Sequence, residues 1–173
     1  MTQLNVPLDV SLSQGNGSSP RAARSRFSTS RLSELPRQQQ TPFPAALVPW
    51  KSAVQNSADA CLLIDSEARV RALSPASRSL LGLPRDIEAV MPRFLDAGLH
   101  FVDFSSAGQR LAPAELARLP VLRALESGTL ERGLARVVID KVHRTLDMVA
   151  APLHRPEEPE PSGAMVFFQD IDR

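Results

Sequence analysis

Three histidines, one cysteine and scattered carboxylates are the side chains of this 173-residue chain best suited to covalent chemistry. His100, Asp103, Ser105 and Ser106 lie close together in sequence. A Ser-His-Asp relay needs a nucleophile, a base and an orienting acid at one point, with donors for an oxyanion. No nucleophile elbow or oxyanion signal accompanies these residues, and three positions of loop spacing do not bring a base onto a serine. No two carboxylates are set to face one cleft, as glycoside hydrolysis requires. Gln14-Gly15-Asn16-Gly17 lacks the lysine, strand and helix of a phosphate loop. Cys61 sits among apolar neighbours in Ala60-Cys61-Leu62-Leu63-Ile64, where an inert buried thiol is the ordinary state. As the lone cysteine it excludes an intramolecular disulfide and a Cys-x-x-Cys zinc site, and it suits a reducing compartment. The expectation is a chain with no catalytic residues and no metal ligands, not an enzyme.

Charge is the second possible source of function. Residues 1 to 44 carry Arg21, Arg24, Arg26, Arg31 and Arg37 against Asp9 and Glu34 only. Of the 20 basic and 19 acidic residues of the chain, the remainder therefore keeps 15 and 17, a mildly acidic body behind a basic arm. The arm is rich in Ser, Arg and Pro, has no helical or strand period, and cannot bury enough surface to offset its ordering entropy, so disorder is expected. Phe27, Leu32 and Leu35 could fold onto a partner, but isolated apolar residues in a tail are ordinarily solvated. Its arginines could neutralise phosphates, which confines any nucleic-acid contact to the arm. Ser25, Ser28, Thr29 and Ser30 among them form a plausible phosphorylation region. An acid-poor, Arg- and Ser-rich start also suits an organellar transit peptide. Arginine outnumbers lysine along the whole chain, however, a bias that points to a GC-rich bacterial genome. No apolar run is long enough to cross a bilayer, and no signal-peptide core precedes the arm, so a soluble cytoplasmic protein is expected.

The elements that must position any site begin at residue 45. Ala45 to Ser57 reads as a flanking helix with Pro49 in its first turn and Leu47, Trp50 and Val54 at helical spacing. Ala60 to Ile64 and Arg69 to Leu73 read as two strands joined by a tight turn. Ser74 can cap a short helix opened by Pro75 and stopped by Gly82. Pro84, Pro92 and Gly98 break the next stretch into helical turns around Ile87 to Met91 and Arg93 to Ala97. Pro113 to Arg118 and Pro120 to Ser127 read as two further short helices, the second ended by Gly128. Leu130 to Ile139, a turn at Asp140-Lys141, Thr145 to Leu153, a charged proline loop at 155 to 162, and Ala164 to Phe168 complete the pattern as three strands.

This order resembles the PAS family, an α+β fold in which a five-stranded antiparallel sheet carries short helices in its middle crossover. Leu62-Leu63-Ile64-Asp65 followed by Arg69-Val70 resembles the opening hairpin of that fold. Ser74-Pro75-Ala76 through Leu80-Leu81-Gly82 resembles its Asn-x-Ala to Leu-Gly segment, with Ser74 in place of the asparagine. Phe167-Phe168-Gln169-Asp170-Ile171-Asp172 resembles the closing Asp-Ile-Thr signature, with Asp172 in place of the threonine. The implied division is a disordered arm at 1–44, a flanking helix at 45–58 and a PAS-like domain at 59–173. No output module follows Arg173, so any output is expected through another molecule or the arm.

The resemblance implies a regulatory module in signal transduction, binding a small ligand, a partner protein or both. Haem-binding relatives supply a histidine from the helix before the third strand, and Pro120 to Ser127 has none; His100, His143 and His154 lie elsewhere. The covalent flavin branch needs a cysteine in the crossover, which Cys61 is not. Both cofactors are disfavoured and the cofactor stays unassigned. The candidate pocket walls are Leu63, Val70, Leu80, Phe94, Phe101, Leu122, Val138, Met148 and Phe168, all of which could equally be core. The candidate partner or homodimer interface is the flanking helix, through Trp50, Leu47 and Val54. The competing expectation is a ligand-free adaptor or dimerisation module whose core merely folds.

Overall fold

The computed structural model describes residues 42–172. The calculated charge and expected disorder of residues 1–41 lie outside them. Pro42, Phe43 and Pro44, read from sequence as the end of the arm, are instead tied to the fold: the Pro42 carbonyl accepts from Arg71 at 2.7 Å, and the Phe43 ring lies 5.2 Å from the Arg71 guanidinium carbon. A 3-10 turn at Ala45–Leu47 leads into helix α1, Val48–Gln55, with Pro49 near its start.

Strands β1, Cys61–Asp65, and β2, Val70–Leu73, form the first hairpin. Its turn is fixed by Asp65, whose Oδ1 accepts from the amides of Glu67 and Arg69 at 3.0 and 2.9 Å. Helix α2, Pro75–Leu81, has the predicted bounds, with the Ser74 hydroxyl accepting from the Ser77 amide and Gly82 at φ 63° ending it. Helix α3, Ile87–Val90, and a 3-10 turn at Phe94–Asp96 follow. Between them Pro92 to Phe94 run beside the outer edge of β2, with the Val70 amide donating to Pro92 and the Phe94 amide to Ala68.

Strand β3, His100–Val102, was expected as loop and is the correction to the five-stranded reading. Helices α4, Pro113–Leu116, and α5, Pro120–Ser127, precede β4, Glu131–Ile139, β5, Val142–Leu153, and β6, Gly163–Asp170. Among the described residues these form one antiparallel sheet of six strands in the order β2-β1-β6-β5-β4-β3. β3 lies beyond β4, pairs within the sheet with Arg136, Val137 and Val138, and is bridged on its other side at Val102 by Arg110.

The sheet has a packed layer on each face. The helices of the crossover cover one face, burying Leu62, Ile64, Val70, Phe94, Val137, Met148 and Val166. On the other, α1 presses Leu47 and Val54 onto Cys61, Leu63 and Ala72. All five residues of β1 are consequently buried, which is why that strand reads as a continuous apolar run without alternation.

Candidate functional site

Phe94 occupies the centre of the space between sheet and short helices. Its ring is fully buried, tilted against Phe101 at a centroid distance of 5.7 Å and stacked on Phe168 at 6.4 Å. The position follows from the backbone: the Phe94 amide is held by Ala68 and the turn it opens closes through the Ala97 amide onto the Phe94 carbonyl. Val70 and Met148 are buried in the same cluster, and Leu80 and Leu122 pack against it while partly exposed. Of the nine predicted pocket residues, these seven are brought to one face. Leu63 and Val138 are not. Leu63 belongs to the cluster beneath α1, and Val138 sits between the inward-facing Val137 and Ile139, so the pleat turns it to the opposite face.

A cleft opens beside this cluster between the Phe94–Asp96 turn, the β1–β2 turn and α5. It encloses about 570 Å³ and is lined by Leu95, Leu122 and Leu125, with Glu67, Asp96 and Glu126 carrying negative charge and Arg93 positive charge. Sequence reasoning named only Leu122 of these. Leu125 carried a signal, since it lies three from Leu122 on one helical face, but Leu95 and its turn could be placed only by the fold.

Leu47 of the 3-10 turn and Val54 of α1 are spent on the sheet, which corrects their expected place in an interface; Trp50 of α1 is 42% exposed. The helix is tied to the crossover through Glu88, whose Oε1 accepts from Gln55 Nε2 at 3.1 Å and the Leu73 amide at 3.3 Å. Its Oε2 accepts from Arg78 at 3.3 Å.

The residues that resembled a hydrolytic relay are arranged as a loop brace. Asp103 Oδ1 accepts from the Ser105 hydroxyl at 2.7 Å and from the amides of Ser105 and Gln109. The Ser105 hydroxyl, then these amides, hold the Asp103 carboxyl below its ordinary value. His100 is exposed on β3, and among the described residues no hydrogen bond joins a histidine to Ser105 or Asp103. The Cys61 thiol is buried on the α1 face. Among the described residues no group of His, Cys, Asp and Glu is placed to hold a metal ion.

No protein-family model matches the chain, and no curated protein matches it significantly. Solved structures do. The PAS domain of a protein from Colwellia psychrerythraea is 19% identical with a TM-score of 0.51, over 73% of this chain and 98% of that one. The LOV protein of Rhodobacter sphaeroides is 16% identical with a TM-score of 0.52, over 74% of this chain and 68% of that one.

The chain has the PAS fold.

A further similar structure is that of VqmA bound to DPO, 14% identical with a TM-score of 0.50, over 73% of this chain and 58% of that one. Within the PAS sheet, both departures from the expected signatures have a structural role. The buried Ser74 hydroxyl accepts from the Cys61 amide as well as from Ser77, so it joins β1 to α2. At the closing segment Asp170 pairs with Arg144 at 2.9 Å, and the Asp172 carboxylate accepts from the Thr145 amide. Among the described residues no helix is long and apolar enough to cross a membrane.

Proposed function

We propose that the chain is a cytoplasmic PAS-type regulatory module in signal transduction, in which a small molecule entering the cleft between the Phe94–Asp96 turn and α5 changes the packing of Phe94. The observation that carries this reading is the cleft itself: its volume and apolar floor suit a small ligand, and Leu95 adjoins the residue that fills the core. VqmA, of similar fold, is described as bound to DPO, which supports a ligand on this architecture without naming one here. Output runs to a partner protein or a second copy through α1 and Trp50, and not through covalent chemistry by the chain.

A ligand-free adaptor is the second reading, favoured by the full burial of Phe94 between Phe101 and Phe168. Native mass spectrometry of freshly purified protein separates the two. A retained small molecule, lost when Leu125→Trp fills the cleft, supports sensing. A bare mass, together with unchanged stability across a library of small ligands, leaves the adaptor.

A further inference from the structure

Strand β4 has an open edge. It pairs with β5 along its whole length, from Glu131 opposite Ala150 to Ile139 opposite Val142, but with β3 only at Arg136 to Val138. The reason is local: after Val102, which pairs with Arg136 on one side and bridges to Arg110 on the other, the chain turns away at Asp103, whose carboxylate braces Ser105 and Gln109. Among the described residues no main-chain partner meets Glu131 to Ala135 on that side. Backbone donors and acceptors left along an edge form a template for another strand.

Such edges are commonly guarded by charged side chains, yet Arg132 does not guard this one. It is drawn over the sheet to Asp147 of β5 by paired bonds from Nε and Nη2. The edge borders a groove of about 310 Å³ whose walls include Phe104, Leu111 and Leu119. Two large apolar side chains there are exposed, Phe104 at 57% and Leu134 at 54%. Arg118, Arg123, Arg132 and Arg136 line the groove against Glu115 and Glu131. Glu131 is paired with Arg123 and Arg132 with Asp147, which leaves Arg118 and Arg136 against Glu115 alone, so the surface offered is weakly positive.

We infer that the β4 edge at Glu131–Ala135 accepts an extended acidic peptide of a partner protein as an added antiparallel strand, collinear with β3. The register of β3 extended along β4 places incoming residues opposite Ala135 and Gly133 on the helix-covered face, beside the groove walled by Leu111 and Leu119, which suits apolar side chains. Residues opposite Leu134 and Arg132 fall on the other face with Arg136, where carboxylates are favoured. The occupant therefore alternates apolar and acidic residues. This surface is separate from the cleft, and its use does not depend on a ligand there.

The test uses the full chain and a fluorescent octapeptide of alternating glutamate and valine. Binding by anisotropy is expected to weaken as salt rises, and the matching lysine–valine peptide is expected not to bind. N-methylation of alternate residues should abolish binding on one edge of the peptide and spare it on the other, because successive amides of a strand point to opposite edges. Bound peptide should slow amide deuterium exchange at Glu131 to Ala135. Arg136→Glu and, independently, Arg118→Glu should each weaken binding about tenfold. No binding at millimolar peptide, equal tolerance of N-methylation on both edges, or a dimer of the free protein already protecting Glu131 to Ala135 would each overturn the inference, the last in favour of a second copy.

Discussion

Asp65 shows how much one side chain can carry. Its Oδ1 holds the hairpin turn, while its Oδ2 faces Arg71 at 3.5 Å with both side chains almost wholly buried. Arg71 sits at the irregularity in the β1–β2 register and reaches Pro42, so this pair also fastens the segment ahead of α1. Asp65→Ala removes the carboxylate facing a buried cation, together with two turn hydrogen bonds, and is expected to cost about 3 kcal/mol in urea denaturation. Arg71→Met, which leaves the Asp65 carboxylate still bonded to the amides of Glu67 and Arg69, should cost less; equal losses would contradict the pairing. Phe94→Ala should cost about 3 to 5 kcal/mol, the range for emptying a packed aromatic site, and a loss under about 1 kcal/mol would show that the site is already filled by something else. At the surface, the hydrogen bond from Arg132 holds the Asp147 carboxyl below its ordinary value. A carboxyl lowered by folding contributes stability above its unfolded pKa and loses it as pH falls through the folded value, here below about pH 4. Carbon-detected NMR titration should find the Asp147 pKa rising in Arg132→Ala, and an unmoved value would dismiss the bond.

Elements with punctuation were legible before the structure, and elements without it were not. Ser74, Pro75 and Gly82 fixed both ends of α2, and Gly128, at φ 67°, the end of α5. β3 escaped because three residues between Gly98 and Asp103 are too few to show alternation. Faces were harder than boundaries. β1 is buried on both sides, so its pattern cannot say that Leu63 belongs to α1 and Leu62 to the crossover. Val137-Val138-Ile139 hides the facing of Val138 in the same way. The β4–β5 turn was read correctly from Asp140-Lys141, although neither residue is suited to it: both have positive φ, 50° and 66°. That is the backbone of a two-residue hairpin turn favouring Asn-Gly. The double substitution Asp140→Asn, Lys141→Gly should therefore raise thermal and urea stability by about 1 kcal/mol. A fall in stability would mean that the lysine or aspartate side chain makes a contact worth more than the strain.

At the scale of the whole molecule, the sheet is a wall between two packed layers, and a change in one layer reaches the other only through specific ties. Glu88 is one that the sequence could not reveal, because Gln55 lies 33 positions away and nothing in either residue's local pattern marks the pair. Pro92 to Phe94 continue from α3 along the edge of β2, so the segment bearing Glu88 also positions Phe94. Movement of Phe94 would thus bias α1 if Glu88 moves with it, since a ligand shifts only an equilibrium to which its site is energetically linked. Gln55→Ala removes one neutral-to-charged hydrogen bond and should cost about 1 kcal/mol, while speeding deuterium exchange over Val48 to Gln55 and shifting the emission of Trp50. Glu88→Ala should loosen α1 further, because it also abandons the Leu73 amide and Arg78. The two substitutions distinguish a joint from mere packing: if Glu88→Ala lowers stability while exchange over α1 and Trp50 emission stay unchanged, Glu88 only braces α2 and β2, and any signal to α1 must cross the sheet through Leu63 and Ala72.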